Sequence, residues 1–589
     1  MRTIYQYANK TIRTSTDQKH NRPQFSSWTM WLIVPLLCCL SLPSCSTPQV
    51  SPPEGREPVV QVQFKSSTVN LLQAMNLAGD NLMNMLDPDQ NNIPYWNQIV
   101  DTNYGSAMVF WWPAHNLGRW WDAMLRLQTA TGYSIPAPIE KSMLENLKTF
   151  FNNSNHIILS PAGKPGDSFE LHSLREGMLA LNALVRYRTN DWARQEGHLM
   201  AQSLLEKVNF STGAWKLALL DRGGRDPNTM PFWATGENPI KSHGRLLESL
   251  VWFYEATGDP VVLDLTTRLA EYHFKNSTHA DGTLNNASKA DHTHSYLGTL
   301  RGLLLFGELT HNEAYIERVN ATLRNYVLKD IIRPSGFMAH DLNTDGAGET
   351  TSPGDVTQLC LWLADRHGQA DLWDVAERIV RARIIPSQIT STSPLTPTTS
   401  GDDRSFNLDK RLIGAFGGMH LDPNGYKSST FDVTAADLHT LVDIFEHMAT
   451  KASGVLRVNF HFTCEDANVR LTSVYSNLLG RFTVEPKQMA KLLVRVPRWT
   501  PQDRLRLSVN GTARAVRMAD ADYLDVSPVK PGDKVVLQYA LPLLATTEKD
   551  QGVPYEFLWR GDDVLGVKPN GTMYPFYSDL PNIDPTKIK

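Results

Sequence analysis

Between Met338 and Asp355 the chain reads MAHDLNTDGAGETTSPGD, which puts His340, Asp341, Asp345, Glu349 and Asp355 within sixteen residues. Two carboxylates held close together can divide acid–base work, one donating a proton while the other accepts one or attacks carbon. Glu349 and Asp345 are the pair this segment offers, and its glycines suit a loop at the rim of a larger body. The same residues also read as ordinary loop and helix-start positions, since Ser352-Pro353 can open a helix with Asp355 in its first turn.

Histidines form a second set. His115 in PAHNLGRWWD, His172 in FELHSLREG, His243 in KSHGRLLES and His294 in DHTHSYLGTL each stand at or near the start of a helix-like run. Imidazoles so placed would line one end of a helical ring; a helix cap or a satisfied core histidine is the alternative for each. Asp291-His292-Thr293-His294 pairs two imidazoles in the manner of metal ligands, with no third ligand in view. His420, Asp422, Asn424 and Tyr426 in GAFGGMHLDPNGY can face the same funnel, although Asp-Pro-Asn-Gly is also a plain turn. Aromatic residues accompany these groups. The run VFWWPAHNLGRWWD, with Trp121 among 15 tryptophans, suits either a helical core or a cleft where flat rings meet the C–H faces of sugars. No Gly-rich phosphate cradle and no dinucleotide fingerprint is present.

The elements that must position these residues are mostly helices. From about residue 67 to 450 apolar residues recur at three and four. In GRWWDAMLRLQTATG one broad face carries Trp120, Trp121, Met124, Leu125 and Leu127, and Gly132 ends the run as a C-cap would. The stretch SHGRLLESLVWFYEATGDPVVLDLTTRLAEYHF repeats that grammar on both sides of a turn, which makes a helical hairpin. About twelve helices can be counted, and hairpins of unlike sequence at irregular spacing suit a closed toroid rather than a short-period solenoid. After about residue 452 the pattern becomes alternation, as in GVLRVNFHF, AKLLVRVPRW and DKVVLQYA, with turn signals at Val509-Asn510-Gly511 and Lys530-Pro531-Gly532-Asp533. The fold expected is mainly α, an (α/α)6 toroid over residues 67–450 followed by a β-sandwich over 451–545. A final strand segment, 546–589, packs back on the body.

At 589 residues the chain is too long for one compact core. Its formal net charge of -4, with 41% hydrophobic and 20% charged residues, offers no basic field for nucleic acid. Basic residues through Arg22 precede the apolar run that begins at Trp28, and Leu42-Pro43-Ser44-Cys45 closes it. That layout predicts an export signal over residues 1–45. Its ending looks like a bacterial lipoprotein box, with Cys45 as the lipidated residue and membrane attachment through that lipid; an ordinary signal peptide containing Cys45 is the alternative. Residues 46–66 read as a Pro-rich tether. With Cys38, Cys39 and Cys45 in the leader, Cys360 and Cys464 remain, too few for a thiolate metal cluster.

The order of SHGRLLESLVWFYEATGDPVVLDLTTRLAEYHF, GETTSPGD, GAFGGMHLDPNGY and the late LLVRVPRW, SVNG and KPGDKVVLQY resembles the six-hairpin glycosidases. More narrowly, the chain is similar to the β-L-arabinofuranosidase group, glycoside hydrolase family 127. The resemblance spans about residues 67–580 and implies a carbohydrate substrate. It also implies a zinc ion held by one glutamate and three cysteines, one of them the nucleophile. Here Glu349-Thr350-Thr351 stands where the family has Glu-Thr-Cys, and Lys427-Ser428-Ser429-Thr430 stands nearest its Cys-Cys pair. Neutral hydroxyls do not replace thiolates on zinc, so the expected cofactor is none, with the family's zinc site lost and another metal left open.

The activity expected is hydrolysis of oligosaccharides derived from plant or algal polysaccharide. Glu349 and Asp345 would do the acid–base work with His243 beside them. His115, Trp121, His172, His294, Tyr296, His340, His420 and Tyr426 would contact sugar. A lyase or dehydratase acting on uronic-acid glycan, built from His243, His294, Tyr296 and Arg245, is a second reading. A surface glycan-binding protein without catalysis is a third.

Overall fold

Among the described residues of the computed structural model, twelve α-helices of eight residues or more lie between residues 71 and 447. That structure describes residues 64–99, 107–109, 112–160, 169, 171–223, 238–288, 290–392, 403–417, 422–426, 428–569 and 574–580. The expected leader, Cys45, most of the tether and His420 lie outside the described residues. In chain order the helices are α1 (Leu71–Asn84), α2 (Pro113–Thr131), α3 (Ala137–Phe151), α4 (Leu174–Arg188), α5 (Asp191–Lys207), α6 (Leu247–Thr257), α7 (Pro260–Asn276), α8 (Thr293–Thr310), α9 (Glu313–Thr322), α10 (Thr351–His367) and α11 (Leu372–Ile379). The single turn α12 (Leu408–Arg411) and then α13 (Phe431–His447) complete the set.

Six of them form a closed inner ring: α2, α4, α6, α8, α10 and α13 each touch the next, and α13 returns to α2. An outer helix backs each one, α3, α5, α7, α9 and α11 in sequence order, with α1 covering α13. Burial follows from that placement. In α8 every residue from Thr293 to Gly307 is buried, whereas α7 buries one stripe, as a surface helix does. The expected cap is present, since α2 ends at Gly132 with φ 78°, a conformation that favours glycine.

Because the inner helix is first in five of the six hairpins, the inner helices run the same way. Their first turns meet at one end of the ring, where residues of α2, α4, α8, α10 and α13 bond to one another. Polar residues therefore gather at that end while Leu, Val, Trp and Phe fill the remainder.

The region after α13 is β-rich. One sheet has the strand order Tyr523–Asp525, Lys491–Arg495, Val455–Val458, Ala449–Ala452; a second runs Cys464–Glu465, Val469–Ser476, Leu479–Pro486, Val535–Ala540, Arg506–Val509, Thr512–Arg514. Burial along Val469–Ser476 alternates almost residue by residue, the period-two signal read from the sequence. A third sheet of three strands follows, Leu543–Asp550, Val553–Arg560 and Asp563–Lys568. The boundary expected between 545 and 546 falls inside its first strand and is corrected: Pro542 precedes the sheet. Phe557, Trp559, Phe576 and Tyr577 from this end of the chain share an apolar cluster with Phe337 and Leu412 of the helical ring.

Candidate functional site

The polar end of the ring is layered. At its base lie four arginines and four carboxylates, all buried. Glu176 of α4 accepts from Arg245 Nη2 at 2.7 Å and Arg175 Nε at 3.0 Å, with Arg119 Nε at 3.3 Å. Burial alone would raise the Glu176 carboxyl, but Arg245, His115, Arg175 and Arg119 outweigh it and hold the pKa at about 2. Asp432, at the start of α13, accepts from Arg119 Nε at 2.7 Å and faces His115 Nε2 at 2.8 Å. Burial opposes its ionisation too, yet Arg119 and His115 pull its pKa well below the usual carboxylate range. Arg301 completes the set, bridging Glu248 at 2.5 Å and Asp355 at 3.2 Å.

Above this base stand the imidazoles. His294 Nε2 accepts from Arg119 Nη2 at 2.8 Å and Arg175 Nη2 at 3.0 Å. Its Nδ1 must then carry the proton, which it donates to Asp355 Oδ2 at 2.6 Å. His172 donates from Nδ1 to the Lys241 carbonyl at 2.8 Å and accepts from Arg245 at Nε2. His115 bonds Ser173 Oγ and Asp432, and its ring stacks on that of His172 at 5.6 Å and 4°. The indole of Trp112 lies 5.7 Å from His115 and 5.6 Å from His172, with Trp96 5.3 Å beyond it. Trp112 takes φ 48° as the N-cap of α2, a left-handed conformation that a bulky side chain rarely adopts and that strained functional positions often do.

A third group sits at the mouth. Glu349 precedes α10, His292 precedes α8, and His340 is in the connection between α9 and α10. His292 Nδ1 bonds Ser295 Oγ at 2.7 Å, and His340 Nδ1 bonds Asp341 Oδ1 at 2.9 Å. His292 Nε2 faces Glu349 Oε1 at 3.7 Å, and the two rings are 4.5 Å apart. Burial, then His340, lowers His292 to about 4. Burial disfavours the charged forms of Glu349 and His340 as well. Interactions with His292 and His340 nevertheless lower Glu349, and those with Asp341 and Glu349 raise His340.

Several expected placements are corrected. Asp345 does not join Glu349: its carboxylate is 57% exposed, bound to Arg333 at 2.9 Å, and lines a surface cavity of about 340 Å³ with Asp330, Asn343 and Asp341. The glycine-bearing loop that made the pair plausible carries Asp345 outward. His243 lies in a π-helical turn, Ile240–Gly244, and bonds His273 Nε2 and the Gly213 carbonyl, both at 2.9 Å. It ties the inner ring to α7. Trp121 and Tyr296 are fully buried in the helical core, beside Trp120 and Tyr326. Tyr426 stacks on Tyr574 at 5.6 Å under the C-terminal strands. His294 stands in the expected place, but both its nitrogens are engaged. His292, read from the sequence only as a metal-ligand candidate beside His294, also stands here, and Asp432, Trp112 and Trp96 join the site without having been named for it. Asp432 follows the Thr430 N-cap of α13, a helix-start signal that could have marked it.

The hydroxyl positions also gather here. Thr350 Oγ1 donates to Asp437 Oδ2 at 2.5 Å and lies 3.1 Å from the Gly417 carbonyl, Gly417 bridges Ser429, and Thr351 and Ser429 are buried. Cys360 lies nine residues along α10 from Thr351, about 13 Å at the helical rise. It is buried among apolar side chains, which push its thiol pKa up. Cys464 belongs to the six-stranded sheet.

No family model and no curated protein matches this sequence. Solved structures do match. A structure titled glycoside hydrolase aligns with TM-score 0.51 at 13% identity, over 85% of this chain and 83% of that one. A family 127 β-arabinofuranosidase aligns with TM-score 0.51 at 14% identity, over 85% and 83%. A β-L-arabinofuranosidase from Geobacillus stearothermophilus T6 gives 0.48 at 13%, over 84% and 80%. At such identities the likeness is one of fold: this chain has the six-hairpin toroid with a C-terminal β-rich region that glycosidases of family 127 share.

Proposed function

We propose that the chain is an exported glycoside hydrolase acting on oligosaccharides from plant or algal polysaccharide. The observation that carries this reading is the convergence of Glu349 and Asp432, the imidazoles of His115, His172, His292 and His340, and the indoles of Trp96 and Trp112 at one end of the inner ring. Flat rings beside carboxylates suit a pyranose or furanose whose glycosidic oxygen must be protonated and whose anomeric carbon bears positive charge in the transition state. Asp432, held ionised by Arg119, is suited to stabilising that charge.

The zinc–thiolate centre implied by the resemblance is read as lost. Thr351, Ser428 and Ser429 supply neutral oxygens, and neither remaining cysteine accompanies Glu349, so that donor set does not fit. Export through residues 1–45 and lipidation at Cys45 belong to the same proposal, supported by the apolar run and the Leu-Pro-Ser-Cys ending. A lyase has less support, because Tyr296 lies in the core and His243 is bonded to His273 and the Gly213 carbonyl.

The test is a glycan panel read for both reducing ends and ultraviolet-absorbing unsaturated sugars. Reducing ends alone are expected, with Glu349→Gln lowering the rate at least about 100-fold. Unsaturated product, or full activity in Glu349→Gln, would overturn the assignment.

A further inference from the structure

Three side chains at the mouth have the makings of a site that neither the thiol comparison nor the carboxylate pair describes. One ligand atom each of His292, His340 and Glu349 lies within 4.8 Å of the other two. They come from two stretches of chain, His292 just before α8 and His340 with Glu349 from the loop between α9 and α10, whose ends pair at Ala339 and Gly348, so it is the fold that brings His292 to the other two. Glu349 Oε1 is buried and makes no hydrogen bond. A carboxylate oxygen in that condition costs about 1–3 kcal/mol or more unless something answers it.

Its neighbour does not answer it directly. His292 Nε2 is 3.7 Å from Glu349 Oε1, too long for a hydrogen bond. Two ligands on one tetrahedral ion, each about 2.0–2.1 Å from it, stand about 3.4 Å apart, so a small movement would seat an ion between them. The outer contacts point the same way. Nδ1 of His292 is on Ser295 Oγ, so that ring turns Nε2 toward Glu349, and Nδ1 of His340 is on Asp341 Oδ1. A metal-binding histidine commonly has its second nitrogen fixed by a carboxylate or hydroxyl in this way. The His340 side chain is 22% exposed while those of His292 and Glu349 are below a tenth, which leaves an approach from solvent on the His340 side. The other convergent group, His115 with Glu176 and Asp432, differs in one respect: Arg119 already stands 2.7 Å from Asp432 and 3.3 Å from Glu176. There the positive charge is supplied by the protein.

We infer that His292, His340 and Glu349 form a binding site for one divalent first-row transition ion, of the zinc class, with its remaining coordination positions open to the funnel. Two imidazoles and one carboxylate suit such ions better than magnesium or calcium, which prefer oxygen throughout. The inference rests on the reading of the funnel as the active site and places an imidazole-held ion where that reading finds no thiolates. Asp341 acts as a positioning residue through His340.

The test uses the full chain, stripped with a chelator and titrated with Co2+ by visible absorption and with Zn2+ by calorimetry. One ion per chain is expected. His292→Ala and His340→Ala should each weaken binding at least about 100-fold, and Asp341→Asn by about 10–100-fold, with melting curves showing each variant folded. Wild type that takes up no ion, or uptake unchanged in both folded histidine variants, would overturn the site. Parallel glycan assays separate the two proposals: cleavage by a chain that takes up no ion keeps the hydrolase and removes the site. Uptake that depends on both histidines without cleavage of any glycan supports the site and counts against the hydrolase.

Discussion

Glu176 shows what the buried charges do. Its pKa moves from 4.5 to about 2, worth about 3 kcal/mol of native-state stability at neutral pH. Because the folded pKa lies below the unfolded one, that contribution is present above pH 4.5 and disappears as the pH falls through 2. Glu176→Gln would leave Arg119, Arg175 and Arg245 facing one another, and a loss of roughly 3–5 kcal/mol at pH 7 is expected. The gap between variant and wild type should narrow as the pH is lowered from 4.5 toward 2. Urea unfolding across pH would show this; a gap constant over that interval would mean that the charge of Glu176 is not its source. None of this was legible in sequence, where LHSLREG reads as a helix start with one acid in its first turn. Four arginines contributed by α2, α4, the turn before α6, and α8 cannot be seen to share one set of acids until the ring closes.

The helices meet closely because two inner ones carry glycine at their crossings. A Cβ on Gly118 of α2 would stand 2.3 Å from the Glu176 carbonyl oxygen, and one on Gly302 of α8 would stand 2.3 Å from the Leu247 Cβ. Gly118→Ala gains about 1 kcal/mol in helix propensity but must push α2 from α4. Net destabilisation of about 1–3 kcal/mol is expected, with weakened glycan cleavage, because that crossing sets the stacking of His115 on His172. Calorimetry with an activity assay checks it, and an unchanged or higher melting temperature would show that the crossing is soft. Helix positions were largely readable from apolar spacing at this scale. The facing of His243 was not, since the π turn Ile240–Gly244 departs from the 3.6-residue period on which the reading depended.

The helical ring and the β-rich region are joined by buried ion pairs. Glu377 of α11 receives Arg381 Nε at 2.9 Å and also Arg495 from the four-stranded sheet, while Arg381 reaches Asp563 at 3.3 Å. Glu377→Ala would remove the carboxylate that Arg381 and Arg495 share, leaving Arg381 with Asp563 and Arg495 with Asp374, and a loss of about 3 kcal/mol is expected. Faster proteolysis between α13 and the first sheet should accompany it, and a wild-type digestion pattern would refute the role of the seam. Local composition determined a good deal of this molecule. Apolar periods of three and four, then of two, marked where helices give way to strands, and Glu349, His115, His172 and His340 were named as candidates from helix starts and loop glycines. Tertiary structure decided which of them face one another. It sent Asp345 to the surface and Tyr296 and Trp121 into the core, and it brought His292 and Asp432 to the funnel. The reason is physical: periodicity reports how much of a residue is buried and on which element, whereas the partner of a side chain is set by the closure of six hairpins, hundreds of residues apart in sequence.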